Sequence, residues 1–342
     1  MFSVNDTFSA ETNCKSLCGG GSIMKISFVI STLNEGLRID RCLTAIRSQK
    51  YDQNLVEIIV CDGGSIDNTV EIAEKYGCVI LRNELRTAET GIQLGASAAR
   101  GALITALAAD NYLVGLNWIS NIVDIFTVLP EITAIVPQVV VDLNDNSFSR
   151  YYTQLYCDPF NKFVFGHASN PNTFRCTYKL LLSQRGVCVY DMKSQPPLIA
   201  LAQAFTYRSS WSRPANSLHD DIAPVWSLIQ SNHLIGYYAD LHLHHHSFRG
   251  FIHFIKKFMY RSSNALQHGF KSRTASLPRP YKIRILLWFI YSSTVIGPLY
   301  QSVKWSIRDR RLTWLWHAPA CLALTVAMLL GSIRSLWVAD SN

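Results

Sequence analysis

KISFVISTLNEG at residues 25–36, followed by VEIIVCDGGSIDNT at 56–69, decides how this chain is read. Each segment is a β-branched apolar run that ends on polar or acidic residues and leads into a helical pattern. Such runs belong to strands buried on both faces, as in a parallel sheet flanked by helices. The alternation continues outward with a helix over about 38–48, the strand VEIIVC, a helix over about 69–76 and the strand CVIL. Asp67 or Asn68 is placed to cap the second of these helices, and Gly77 to end it. A longer helix over about 88–100 leads into LITALAA, and another over about 118–129 leads into AIVPQVVV. Residues 25–142 are therefore expected to form one α/β unit with helices on both faces of the sheet.

In open α/β sheets, ligands bind beyond the carboxyl ends of the strands. Those ends present Thr32, Asn34 and Glu35, then Asp62, then Asp110. Three successive strand ends with polar or acidic groups suggest a ligand site, although Asn34 and Asp62 are also ordinary turn formers. The first turn, STLNEG, is not a glycine-rich GxGxxG, and no GxxxxGK[ST] occurs, which disfavours a classical dinucleotide fold and a P-loop.

Composition points beyond a soluble core. The chain has 342 residues, of which 49% are hydrophobic and only 16% charged, with a net charge of +8. The positive balance suits an anionic partner, and without a nucleic-acid-reading motif a phosphorylated substrate or an acidic membrane surface fits better than nucleic acid. Nine cysteines are scattered without zinc-type spacing, as reduced thiols in a cytoplasmic domain are. Residues 1–23 are polar and glycine-rich and are expected to be a disordered lead-in.

Downstream, residues 145–215 have irregular spacing and many aromatics, and they are expected to face the acceptor, with Tyr151, Gln154 and Asn170 as contact candidates. A helix, a turn and a strand containing LHLHHHS follow, and in a strand His242, His244 and His246 share one face. FIHFIKKFMYR sets Phe251, Phe254, Ile255 and Phe258 opposite Lys256 and Lys257, the pattern of an interfacial amphipathic helix. Arg249, Lys256 and Lys257 are also placed to meet a lipid phosphate. Two apolar runs, 283–303 and 313–333, are each long enough to cross a bilayer, with Trp305, Trp314 and Trp316 near their ends. Basic residues lie both before the first run and between the runs. Two full spans would put one basic cluster outside, whereas a re-entrant or monotopic hairpin helped by Gly297 and Pro298 keeps both clusters cytoplasmic.

Three segments together, FVISTLNEGLRIDRCLTAIRSQ, EIIVCDGGSIDNTVEIA and QLGASAARGALITALAADN, resemble the N-terminal half of a family 2 glycosyltransferase of GT-A fold. That family's pattern is a strand ending in P-x-x-N-E, a strand ending in D-D/G-G/x-S-x-D, and an Asp-any-Asp motif at a later strand end. Here Ser31 replaces the Pro, Gly63 the second Asp, and Ala108 the first Asp of the last motif.

The resemblance covers about residues 25–250 and implies a GT-A, Rossmann-like mixed sheet with helices on both faces. It implies a nucleotide-sugar half at 24–142 and an acceptor half at 143–250, before an amphipathic segment at 251–281 and two membrane helices at 282–338. It also implies site roles. Thr32, Asn34 and Glu35 would line the nucleotide pocket, and Asp62 would accept a hydrogen bond from the base. Asp110 would meet a divalent cation, Mg²⁺ or Mn²⁺, helped by His244 or, second, His242. Asp221, with Asp220 beside it, would be the base that deprotonates the acceptor, although the same pair suits an N-cap. The implied activity is inverting transfer of a sugar from a UDP- or GDP-sugar, and the amphipathic helix and apolar tail suggest a polyprenyl-phosphate-linked or polysaccharide acceptor at the cytoplasmic membrane face. The alternative is an inactive relative that binds nucleotide sugar or serves as a membrane scaffold.

Overall fold

The computed structural model describes residues 23–195, 197–214, 221–267 and 279–339. The lead-in at 1–22 and Asp220 lie outside the described residues.

Ile26–Thr32 (β1) is buried along its whole length. Gly36–Arg47 (α1), Val56–Asp62 (β2), Thr69–Lys75 (α2), Val79–Arg82 (β3), Ala88–Ala98 (α3) and Leu103–Ala108 (β4) follow in strict alternation. The four strands are parallel and lie in the order β3-β2-β1-β4. Phe28 and Ile30 join the core on one side with Ile39 and Leu43 of α1, while Val29 joins the core on the other side with Ile92 of α3. Gly95 lets α3 lie close on the sheet, because a Cβ there would stand 2.3 Å from Val29 Cγ1.

The chain continues through Asn111–Leu113 (β5), Trp118–Val128 (α4), Ile132–Val140 (β6), Ser147–Leu155 (α5) and Pro159–Phe165 (α6). Lys179–Gln184 (β7) and Val187–Asp191 (β8) form a hairpin in the segment read as irregular. Its turn has positive φ at both Arg185 (54°) and Gly186 (78°), as a type I′ turn needs, and an arginine in the first position hides the signal. Gln203–Arg208 (β9), Ala223–Gln230 (α7) and Leu234–His245 (β10) complete the sheet. Since β9 is antiparallel to β4 and β6 while β10 is parallel to β6, the sheet is mixed.

The helices that follow depart from the simple picture of a surface helix and two spans. Phe251–Gln267 (α8) turns Phe254 into a cluster with Phe148, Tyr151, Trp288 and Leu324, so its apolar face is covered by protein. Arg279–Thr294 (α9) and Ile296–Asp309 (α10) divide the first apolar run at a bend of 82°. The break follows from Val295 at φ 60° and from Pro298, which has no N–H to offer the carbonyl of Thr294. Within the last run, Leu312–Ile333 is long and apolar enough to cross a membrane and less than half of it is buried; it includes most of His317–Ala339 (α11). Leu286, Ile290, Leu299, Leu329 and Leu330 all face outward from this helical group.

Candidate functional site

Three strand ends meet because β2, β1 and β4 are neighbours, with Thr32 beside Asp62 and Ser31 beside Ala108. Asp67 ties the first two loops together. Its Oδ2 accepts the Gly36 N–H at 3.1 Å, and its Oδ1 accepts the Thr69 N–H at 3.1 Å, so it serves the starts of both α1 and α2. Asn68 makes no capping bond. Asn34 adopts φ 55° and accepts the Ile66 N–H at 2.9 Å. Asp62 takes the N–H groups of Gly64 (2.9 Å) and Ser65 (2.8 Å) and also the Ser65 hydroxyl, so it shapes its own loop.

Asp110 lies in the link between β4 and β5, and its surroundings differ. Arg38 stands 3.7 Å from its Oδ2 and His245 Nε2 3.7 Å from its Oδ1, yet Oδ1 is buried with no hydrogen bond. Arg38 also faces Glu35 at 3.6 Å, and Arg249 reaches Glu35 at 3.7 Å. The oxygens Thr32 Oγ1 and Glu35 Oε2 are likewise buried without a hydrogen bond, although Oε2 is the oxygen that faces the two arginines. Three buried polar atoms without a hydrogen bond thus lie near one set of strand ends.

The charges explain the protonation states. Burial raises the Asp110 carboxyl, but His245, Lys257 and Arg38 together outweigh it and hold the group below its ordinary value. Burial raises Glu35 against the pull of Arg38. Burial pushes Lys257 down to about 8, with Arg261 adding to it and Asp110 opposing. Lys257 is therefore not on a solvated face as its helical pattern suggests; it is half-buried, 5.2 Å from the Phe248 ring centre.

The histidine expectation needs correction. His244 and His246 lie together, ring centres 6.5 Å apart, on the side of Asp142. There His246 Nε2 lies 3.0 Å from Asp142, and His244 Nδ1 lies 3.3 Å from the Val140 carbonyl. The intervening His245 alternates to the other side, where the Gln203 amide stands 3.3 Å from its Nδ1 and leaves Nε2 toward Asp110. His245, and not His244, is thus the histidine that faces Asp110. No group of three or more His, Cys, Asp or Glu that could hold a metal ion occurs among the described residues. The unpaired Oδ1 facing an imidazole nitrogen nevertheless fits a cation whose other ligands come from substrate and water.

Asp221 reaches the same region through backbone. The Leu201 N–H donates to the Asp221 carbonyl at 3.1 Å, and the Ala108 N–H donates to Ala202, next in the chain, at 3.2 Å. Glu89, which sequence reading missed, is raised by burial and by the charge of Asp221, so two acids interact there.

The three acceptor candidates do not join this site. Tyr151 is fully buried, with its hydroxyl 2.9 Å from His317 Nδ1. Gln154 Oε1 accepts the Thr313 hydroxyl at 2.8 Å, and Asn170 caps a short helical turn by accepting the Asn172 N–H at 2.9 Å. The first two couple α5 to the C-terminal helices, and the third is a local cap.

Comparison with known proteins agrees with this architecture. Residues 27–187 match the family model described as Glycosyl transferase family 2. Glycosyltransferase AglE of Haloferax volcanii is 30% identical over 91 residues, or 25% of this chain and 30% of that protein. The chain's match thus spans about a third of that relative's length. Among solved structures, mannosyltransferase PcManGT from Pyrobaculum calidifontis, in complex with GDP-Man and Mn²⁺, has the same fold at a TM-score of 0.53 and 12% identity, covering 93% of this chain and 88% of that one. S. aureus TarS 1-349 overlays at a TM-score of 0.45 and 13% identity, covering 91% of each chain.

Proposed function

We propose, from the match of residues 27–187 to the glycosyl transferase family 2 model, that this protein is an inverting glycosyltransferase that takes a sugar from a nucleotide-diphosphate donor. The observation that carries the reading is Asp110, an ionised carboxylate with an unpaired oxygen at a strand end, faced by His245 and set among cations. A divalent cation bound there would stabilise the charge that develops on the departing diphosphate. Asp110 and His245 would hold it. Arg38, Arg249 and Lys257 supply fixed positive charge where the diphosphate would lie. Thr32 Oγ1 and Glu35 Oε2 remain to meet the nucleoside, while Asp62 keeps its loop in shape and has only its spare lone pairs for the base.

Inversion requires a base for the acceptor hydroxyl. Asp221 takes that role in this reading, close enough to Glu89 for its charge to help burial raise the Glu89 carboxyl. The helical group at 279–339, with an outward apolar surface and one stretch of spanning length, supports action at a membrane and a lipid-linked acceptor. The bend between α9 and α10 favours a re-entrant element with both basic clusters on the cytoplasmic side. Full-length protein in detergent, screened against UDP- and GDP-sugars with Mn²⁺, should turn over at least one donor. Asp221→Asn should keep donor binding and lose roughly 10²- to 10⁴-fold in transfer. Wild-type protein that binds no donor would remove the enzyme reading.

A further inference from the structure

The C-terminal helices carry a second group of cations that this reaction does not use. A cleft of about 730 Å³ opens between α5 and the turn that joins α10 to α11. Arg150, Arg310 and Arg311 line it together with Leu312, Leu315 and Pro319, and no carboxylate is among its described lining residues. Asp309, the neighbouring acid, is already held by Arg308 at 2.6 and 2.9 Å and by the Trp314 indole N–H at 2.8 Å. Arg150 Nε is buried without a hydrogen-bond partner. Arg310 occupies a left-handed backbone position, φ 51°, where a helix usually ends in Gly or Asn.

We propose that this cleft binds the phosphate of an anionic lipid. The three guanidinium groups would take the phosphate oxygens, and the hydrocarbon chain would lie along Leu312, Leu315 and the outward face of α11. Three like charges around one cavity repel one another unless an anion joins them, and a phosphate offers oxygens that a guanidinium grips in pairs. Basic side chains at a membrane surface contribute to anionic-lipid binding in this way. The apolar wall of Leu312, Leu315 and Pro319 favours a lipid over free phosphate, which would leave it facing water. Leu322, Val326 and Leu329 continue that wall as exposed residues. The inference rests on membrane association as proposed above, but not on the transfer chemistry.

Native mass spectrometry of the full chain in an uncharged detergent tests it, with phosphatidylglycerol and phosphatidylcholine of equal chain length and inorganic phosphate as a competitor. Phosphatidylglycerol should bind at least tenfold more tightly than phosphatidylcholine, and millimolar phosphate should displace little of it. The double variant Arg310→Asn/Arg311→Gln, whose Asn suits the left-handed backbone, should lose the preference, while Lys304→Gln outside the cleft keeps it. Arg150→Gln gives a second reading should the double variant fold poorly. Equal affinity for the two lipids, or a preference unchanged in these variants, overturns the site. Displacement by phosphate at the concentration at which the lipid itself binds overturns the lipid part. Binding of neither lipid overturns both this site and membrane association, and donor turnover then reports separately on the transferase.

Discussion

Two acid–histidine pairs flank the end of β10, and they behave differently. Asp142 accepts the Asn144 N–H at 2.9 Å, Arg41 at 2.7 Å and His246 at 3.0 Å. Asp110 has only ion pairs at 3.7 Å and leaves Oδ1 without any hydrogen bond. Both carboxyls are ionised, yet one is satisfied by the fold and the other is not. The folded surroundings favour the charged form of both carboxyls, but only Asp110 keeps a buried oxygen without a hydrogen bond. The contrast supports a structural role on the Asp142 side of β10 and the proposed ligand role on the Asp110 side.

The largest expected effect comes from Asp110→Ala. Transfer should fall roughly 10²- to 10³-fold, and Mn²⁺-dependent donor binding should vanish, while thermal melting stays near wild type because few native hydrogen bonds are lost. A variant that melts far earlier but still binds donor would reverse the contrast.

Asp142→Asn should do the opposite, destabilising by about 1–3 kcal/mol with donor affinity retained. This effect has a pH signature. Burial raises the Asp142 carboxyl, but Asn144, Arg41, His244 and His246 lower it well below the usual range. A folded value below the unfolded one means that the stabilisation is fully present above about pH 4 and is lost as pH falls through the folded value. Urea melts of wild type and Asp142→Asn should therefore differ at pH 7 and converge in strong acid. A gap independent of pH would show that the charge is not what stabilises.

Tyr151→Phe makes the smallest change. Losing the bond to His317 should cost about 0.5–1.5 kcal/mol and leave the Michaelis constant for the acceptor unchanged. A raised constant would return Tyr151 to the acceptor pocket.

The α/β half was legible because burial on both faces writes a simple signal, and β1, β2 and β4 fall where their apolar runs lie. Asp110 was legible for the same reason, at the end of such a run. His245 was not. Alternation groups His242 with His244, but which face meets Asp110 depends on how β10 registers against β5 and β6, and the β10–β6 pairing shifts between Tyr238 and His242. Tyr151 was hidden because its neighbours His317 and Trp314 come from far along the chain, and Lys257 because Arg38 and Asp110 come from the N-terminal half. The bend in the first apolar run could be anticipated from Pro298, since a missing N–H acts locally.

The account turns on which histidine serves Asp110. Electron paramagnetic resonance of Mn²⁺ titrated into the protein with a saturating nucleoside diphosphate compares His245→Ala with His244→Ala directly. The arrangement around Asp110 predicts bound Mn²⁺ in His244→Ala at wild-type affinity and a loss of at least tenfold in His245→Ala. The reverse order, or equal affinity in both variants, would contradict it.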